Sequence, residues 1–295
     1  MPDQTSQRPS AVRDPSEASS PPSRAHSRLV ARAVDLLAFS SGLASAIGGT
    51  LSLVASRLLG APNAESWAIL AASGTFIVYN LDRLRDIDRD RASSPLRTAF
   101  VVRNRRWLYA SVGIAAIGFV ATLQAAPPSI ILLCLAIGLL GLFHRRLKQV
   151  PALKAAYVSV AWIAACVGMP WLASGRSEAG LWIAGILLAS LAANLIASNL
   201  RDPTGEVGGT TARGDTALAL WIARAIAVLA IGITLAAPAP LHPLVWIPVC
   251  EGLALAFFHP SERYSLIAVD GALLIGAFAS SIHLRTAIGA GWPTG

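Results

Sequence analysis

Long apolar runs bounded by clusters of charge constrain this chain more than any other feature. About nine recur, roughly over 34–56, 66–81, 107–125, 128–143, 155–173, 180–199, 216–236, 241–258 and 264–284. Most approach the ~20 residues a helix needs to cross a bilayer. Backbone in hydrocarbon has to satisfy its own hydrogen bonds, so runs of this length predict helices. With 54% hydrophobic residues, 14% charged and a mean hydropathy of +0.58, an ordinary soluble domain is excluded. The expected fold is all-α, a polytopic membrane protein with about nine transmembrane helices.

Basic residues fall unevenly on alternate loops. Eight arginines lie between Arg83 and Arg106, and Arg145, Arg146, Lys148 and Lys154 follow the fourth run. Arg201, Arg213 and Arg263 fall on the same side, whereas the opposite loops and the C-terminus hold Arg57, Arg176 and Arg285. The positive-inside rule then puts the N-terminus in the cytoplasm, in a multi-pass protein of the cell inner membrane. The net charge of +8 reads as topology and attraction to anionic lipid, with no basic domain left over for nucleic acid.

Residues 1–29 are rich in Pro, Ser and Arg and are expected to form a disordered cytoplasmic tail, not a signal peptide. The transmembrane domain is expected over 30–285, with a short tail over 286–295. Cys134, Cys166 and Cys250 lie inside apolar runs without metal-type spacing and read as core residues.

Two acidic stretches carry the chemistry. In YNLDRLRDIDRDR (79–91), a continuing helix would put Asp82, Asp86 and Asp90 on one face at the mouth of an apolar run. Like charges stacked in this way call for a cation, and magnesium takes carboxylate oxygens together with phosphates. In SNLRDPTGEVGG (198–209), Asp202 and Glu206 again stand four apart. Asp82 to Asp202 and Asp86 to Glu206 are both separations of 120 residues, and both stretches emerge on the same side. The echo suggests two like-oriented halves facing a central cavity. Lys148 and Lys154, around Pro151, suit an anionic group held between them.

On these residues the chain, from about residue 30 to its end, resembles the UbiA-type intramembrane prenyltransferase family. Asn199-Leu-Arg-Asp202-Pro-Thr-Gly205-Glu206 follows the family's D-x-x-D-x-x-G-D pattern, with Asn for the first Asp and Glu for the last. RLKQVPALKAAYVSVAW is similar to its basic loop between the fourth and fifth helices. The first stretch departs more from N-D-x-x-D-x-x-x-D. With Asp82 and Asp86 as the last two acids, Val78 and Tyr79 take the N-D positions; with Asp86, Asp88 and Asp90 aligned instead, Asp82 stands where the family has Asn.

The resemblance implies Asp82, Asp86, Asp90, Asp202 and Glu206 as magnesium ligands, with Asp82, Asp86, Asp202 and Glu206 catalytic. It implies Tyr79, Asn80, Arg97, Arg145, Lys148, Lys154 and Asn199 at the substrate. The substrates would be a prenyl diphosphate, ionised at its allylic C–O bond, and an aromatic or other lipophilic acceptor. Terpene cyclisation and lipid-head prenylation share that ionisation. A transporter with acidic ion sites at the membrane face is the reading from a different class.

Arg224, Glu251 and Asp270 interrupt the last three runs, and isolated charges at such depth are expected to pair, Arg224 with Glu251 or Asp270. Of the loop cations, Lys148→Ala is expected to weaken diphosphate binding or ionisation with little change in acceptor affinity, while Arg103→Ala does little. Steady-state kinetics over both substrates would read the difference, and equal losses would assign the loops a bulk-charge role.

Overall fold

The computed structural model describes residues 33–147, 151–200 and 213–289. The tail expected over 1–29 lies outside them, as do residues 148–150 and 201–212; of the tail expected over 286–295, residues 286–289 continue the last helix and 290–295 lie outside the described residues. The chain divides into two compact units, Met1–Leu36 and Leu37–Gly295. Of the first, only the start of a short helix, Ala33–Phe39, is described.

The described residues form helices joined by short turns, without strands. After Ala33–Phe39 come α1 (Gly42–Leu58), α2 (Ala64–Arg85), α3 (Ile87–Ser93), α4 (Pro95–Arg103), α5 (Arg105–Leu123), α6 (Pro128–Leu147) and α7 (Pro151–Ile163). Next are α8 (Glu178–Asn199), α9 (Arg213–Ala236), α10 (Trp246–Ala256) and α11 (Asp270–Gly289). Prolines at the first position start α4, α6 and α7, where a missing N–H costs no hydrogen bond. Gly60, at φ +61°, ends α1: its N–H reaches the Arg57 carbonyl at 3.3 Å and the Ala61 N–H the Ser56 carbonyl at 2.9 Å. Those are the two bonds of a Schellman turn, which needs a left-handed residue that glycine adopts without strain.

Two helices contain a π turn. α7 widens at Ala164–Gly168 before continuing as Met169–Ala173. Pro170 accounts for this one, since it has no N–H for the Cys166 carbonyl and its ring would crowd that carbonyl in a regular helix. The second, Ser265–Val269, links Glu262–Tyr264 to α11 and has no such proline.

Six helices among the described residues are long and apolar enough to cross a membrane: Arg105–Leu123, Ala156–Ala173, Glu178–Asn199, Thr216–Ala236, Ala239–Ala256 and Glu262–Thr286. The broken pair Ala33–Phe39 and Gly42–Leu58 would make a seventh. This is fewer than the nine expected. The runs over 66–81 and 128–143 are helical, but α2 carries Ser66, Ser73, Thr75, Asn80 and its terminal charges, and the apolar part of α6, Pro128–Gly141, is short. Apolar side chains such as Trp107, Ile114, Ile117, Leu132 and Val228 point outward, consistent with lipid contact.

The main core is built where α1, α8, α10 and α11 meet, by Leu51, Ile183, Ile186, Leu187, Ile247 and Leu273. Cys134, Cys166 and Cys250 are free thiols, Cys166 buried in this core.

Among the described glycines, the closest approach to another helix's backbone lies between the start of α10 and Gly276 of α11, where a Cβ would stand 2.6 Å from the Ile247 Cα and 2.6 Å from the Trp246 carbonyl. Those atoms are backbone and cannot swing aside. Gly276→Ala is therefore expected to force α10 and α11 apart and lower stability by about 1–3 kcal/mol, read as a lower midpoint of unfolding in detergent. Gly252→Ala, with open space around it, serves as the neutral control.

Candidate functional site

The first acidic stretch sits at the end of α2, which is fastened by carbonyls that a helix break leaves over. The turn at Ser40–Ser41, with Ser41 at φ 63°, separates Ala33–Phe39 from α1. A helix end leaves its last carbonyls without N–H partners. Asn80 Nδ2 donates to the Ser40 carbonyl at 3.0 Å and to the Phe76 carbonyl at 2.9 Å. One turn on, Arg83 donates to the Phe39 carbonyl at 2.9 Å. Both side chains are buried.

Tyr79 lies beside them. Its hydroxyl accepts the Trp162 indole N–H at 3.0 Å, the two rings meet edge to face at 6.1 Å, and the Arg83 guanidinium stands 5.9 Å from the Tyr79 ring centre. The charges of Asp270 and Asp82 both reach the Tyr79 hydroxyl.

α2 stops at Arg85. Asp86 takes φ −103° and ψ 19°, and α3 begins at Ile87. Hydrogen bonding from residue to fourth residue nevertheless runs through the bend: the Asp86 N–H meets the Asp82 carbonyl at 3.0 Å and the Asp90 N–H the Asp86 carbonyl at 2.9 Å. Asp82 is half-buried and Asp86 only 2% exposed. Both interact with polar or charged neighbours. The three acids therefore do not form one straight ladder. Asp90 lies beyond the bend and pairs with Arg97 at 3.2 Å, whose guanidinium also donates to Ser94 Oγ at 3.1 Å. Arg97, expected at the substrate, is thus turned toward Asp90.

Glu262, which nothing in the sequence singled out, holds this region to the start of the last span. Its carboxylate accepts the Leu96 N–H at 3.1 Å and the Arg97 N–H at 2.9 Å. A carboxylate at a helix N-terminus satisfies orphan donors and faces the positive end of the helix dipole.

Asn199 is the exposed last residue of α8. Asp202, Glu206 and Lys148 lie outside the described residues, and so do the side chains of Arg145 and Lys154, whose backbones belong to α6 and α7. The two acidic pairs therefore cannot be measured against each other. Among the described residues, no group of three or more His, Cys, Asp or Glu side chains is placed to hold a metal ion. A magnesium site built on Asp82 and Asp86 would need ligands from the second stretch.

A lateral groove of about 430 Å³ opens between α1, α2 and α5, lined by Ser45, Ile69, Ala72, Phe76 and Ile114. It is apolar, and Phe76 lies six residues before Asp82, about 9 Å along the helix.

The expected pairing of Arg224 with Glu251 or Asp270 is not what the structure forms. Arg224 Nε donates to the Leu255 carbonyl at 3.0 Å and a terminal nitrogen to the Ala256 carbonyl at 3.2 Å, with the guanidinium 5.5 Å from the Trp221 ring centre. It caps the C-terminus of α10, where unpaired carbonyls and the negative end of the helix dipole draw a cation. Asn194 lies beside Glu251 instead, and the charge of Asp270 acts on it.

Arg224→Leu and Glu251→Gln are accordingly expected to change stability additively, within about 0.5 kcal/mol in a double-mutant cycle read by unfolding in detergent. A larger coupling would restore the ion pair.

No protein-family pattern, curated protein or solved structure matches the chain.

Proposed function

We propose that the protein is an integral membrane prenyltransferase of the UbiA type, with nine helices around a central cavity and its acidic stretches at the cytoplasmic face of the cell inner membrane. The observation that carries the reading is the end of α2: Asp82 and Asp86 stay one hydrogen-bonded turn apart, 3.0 Å from Asp86 N–H to Asp82 carbonyl, on a backbone fastened by Asn80 and Arg83. α2 and α8 are both 22 residues long and both run into an acidic stretch, which supports two equivalent halves.

In this reading Asp82 and Asp86 face Asp202 and Glu206 across the mouth of the cavity. Magnesium held by these carboxylates would neutralise diphosphate charge and improve the leaving group. Lys148, with Arg145 and Lys154, binds the remaining phosphate oxygens. Tyr79, whose hydroxyl is oriented by Trp162 at 3.0 Å, lines the path from the acids into the bundle and presents an aromatic ring to the allylic cation. The surrounding helices exclude water, so that a lipophilic acceptor rather than solvent captures the cation. The groove beside Phe76 is apolar enough for an isoprenoid chain.

A carrier is the second reading, favoured by one observation: the Glu251 carboxylate is fully buried inside the bundle, where a prenyl transfer has no use for it.

Membranes containing the protein, given radiolabelled prenyl diphosphates and a panel of quinone, phenol and tetrapyrrole acceptors, test the proposal. Label transferred to an acceptor supports it; label appearing in a cyclised product without acceptor points to a cyclase; unconsumed diphosphate with label crossing a vesicle points to a carrier. Asp86→Asn and Asp202→Asn are each expected to lower turnover by about 10²-fold at limiting magnesium with membrane insertion unchanged.

A further inference from the structure

We infer that the groove between α1, α2 and α5 holds one acyl chain of an anionic phospholipid whose headgroup rests on Arg103 and Arg106. The groove's volume of about 430 Å³ falls within the ~300–1,000 Å³ that ligand sites occupy. Its walls call for hydrocarbon. Three serines line it, yet each hydroxyl already donates to a backbone carbonyl: Ser45 to Ala72 at 2.8 Å, Ser111 to Trp107 at 2.8 Å, and Ser73 to Ile69 in the same way. The hydroxyls are therefore turned to the backbone, and Ile69, Phe76 and Ile114 supply apolar surface. Of the six candidate spans α5 is the least enclosed by the described residues, with 11% of its apolar window buried, and Ile114 is 71% exposed. The groove thus opens toward lipid.

Two rows of α5 at fourfold spacing run along the groove, Arg106–Ala110–Ile114 and Trp107–Ser111–Ala115. Both lead to its basic end. Arg106 stands eight residues from Ile114, about 12 Å along the helix, and Arg85 stands nine from Phe76 on α2, about 14 Å. Each distance is close to the ~15 Å that makes up half of a bilayer's hydrocarbon core. With the arginines at the headgroups, the groove lies among the acyl chains of the same leaflet. Exposed Trp107 and Tyr109 mark that level as well, since aromatic rings gather at the interface.

The charge at that level selects the headgroup. Backbone hydrogen bonding runs through the junction of α4 and α5, from the Asn104 N–H to the Phe100 carbonyl at 3.0 Å and from the Leu108 N–H to the Asn104 carbonyl at 3.0 Å. Arg103 and Arg106 therefore stand one turn apart. Both are exposed, and among the described residues neither pairs with an acid. Asp88, the exposed acid of the neighbouring α3, already faces Arg91 at 3.7 Å. Guanidinium forks match phosphate oxygens, and exposed Arg85 and Arg105 add positive charge with no free acid beside them to hold a choline or ethanolamine ammonium. A second copy of the chain fits this face less well. A two-fold axis along the membrane normal would bring arginines of both copies to one level. The inference does not rest on prenyl transfer; an isoprenoid chain entering the groove would displace the lipid chain.

The test uses the full chain, delipidated in detergent and titrated with radiolabelled dioleoyl phosphatidylglycerol or dioleoyl phosphatidylcholine. The expected result is saturable binding of about one phosphatidylglycerol per chain, about tenfold tighter than phosphatidylcholine. Arg103→Gln combined with Arg106→Gln should erase that preference. Arg176→Gln combined with Arg285→Gln, which removes the same charge from other exposed positions, should keep it. Ser111→Phe, which fills the groove without touching the charge, should weaken both lipids about tenfold and preserve their ratio. The arginine pairs decide the matter if Ser111→Phe does not fold. The inference is overturned if the two lipids bind alike or without saturation, or if both arginine pairs cost the same, for then bulk charge is enough. It is equally overturned if glycerol phosphate without chains competes as well as the whole lipid, or if the protein is a dimer that Ser111→Phe splits, for then the groove belongs to a second copy.

Discussion

Inside hydrocarbon a carbonyl that loses its helical N–H partner has no water to turn to, and much of this molecule is arranged around that constraint. The break after Phe39 leaves carbonyls at Phe39 and Ser40, and α2 supplies Arg83 and Asn80 to take them at 2.9 and 3.0 Å. The end of α10 leaves those of Leu255 and Ala256, and α9 supplies Arg224. In each case a polar side chain on a neighbouring helix does what a cap does within one helix. A donor placed this way fixes two helices to each other as well as satisfying the carbonyl.

The same fastening shapes the acidic mouth. Because Asn80 and Arg83 are drawn toward the break, the face of α2 one turn on, with Tyr79, Asp82 and Asp86, is held at a set rotation. Beyond Asp86 the bend hands Asp90 to Arg97, and Glu262 grips the start of α4 through two N–H groups at 2.9 and 3.1 Å. Of the four aspartates that look alike in sequence, Asp88 is exposed near Arg91, Asp90 is paired with Arg97, Asp82 is half-buried and Asp86 is buried. The bend at Asp86 divides the stretch into a part that belongs to the bundle and a part that belongs to the surface.

That division was not legible in the sequence. Apolar runs located nearly every helix, because burial over some twenty residues dominates local propensity. The run over 107–125 became Arg105–Leu123 and that over 180–199 became Glu178–Asn199. No glycine or proline marks Asp86, so an unbroken helix was the natural reading. Arg224 was misjudged for a different reason. Counting depth along a sequence finds the opposite charges nearby, but the carbonyls at the end of a neighbouring helix carry no mark in the residue code, and only docking of α9 on α10 brings them within reach. Glu262 escaped for the same cause, its partners being backbone N–H groups more than 160 residues away. Lys148, Asp202 and Glu206 lie outside the described residues, so the echo between the two acidic stretches rests on spacing alone.

The π turn at Ser265–Val269 deserves a physical reason, since no proline forces it. Downstream, Leu273, Ala277, Ser280 and Leu284 form the buried stripe of α11, and their spacing is that of a regular helix. Upstream, Ser261 caps the chain through the Tyr264 N–H at 3.2 Å, and the Tyr264 hydroxyl donates to the Ala254 carbonyl at 2.8 Å, which fixes the start of the span against α10. A regular helix between these two anchors would have to match both rotations at once. One residue more in a single turn swings everything before it by about 100°, enough to reconcile them. The residues that absorb the difference are Ser265 and Asp270, at the two ends of the wide turn. The irregularity thus lets the apolar stripe of α11 keep its register with the core while Tyr264 stays docked on α10, and a helix straightened there would have to give up one of the two anchors.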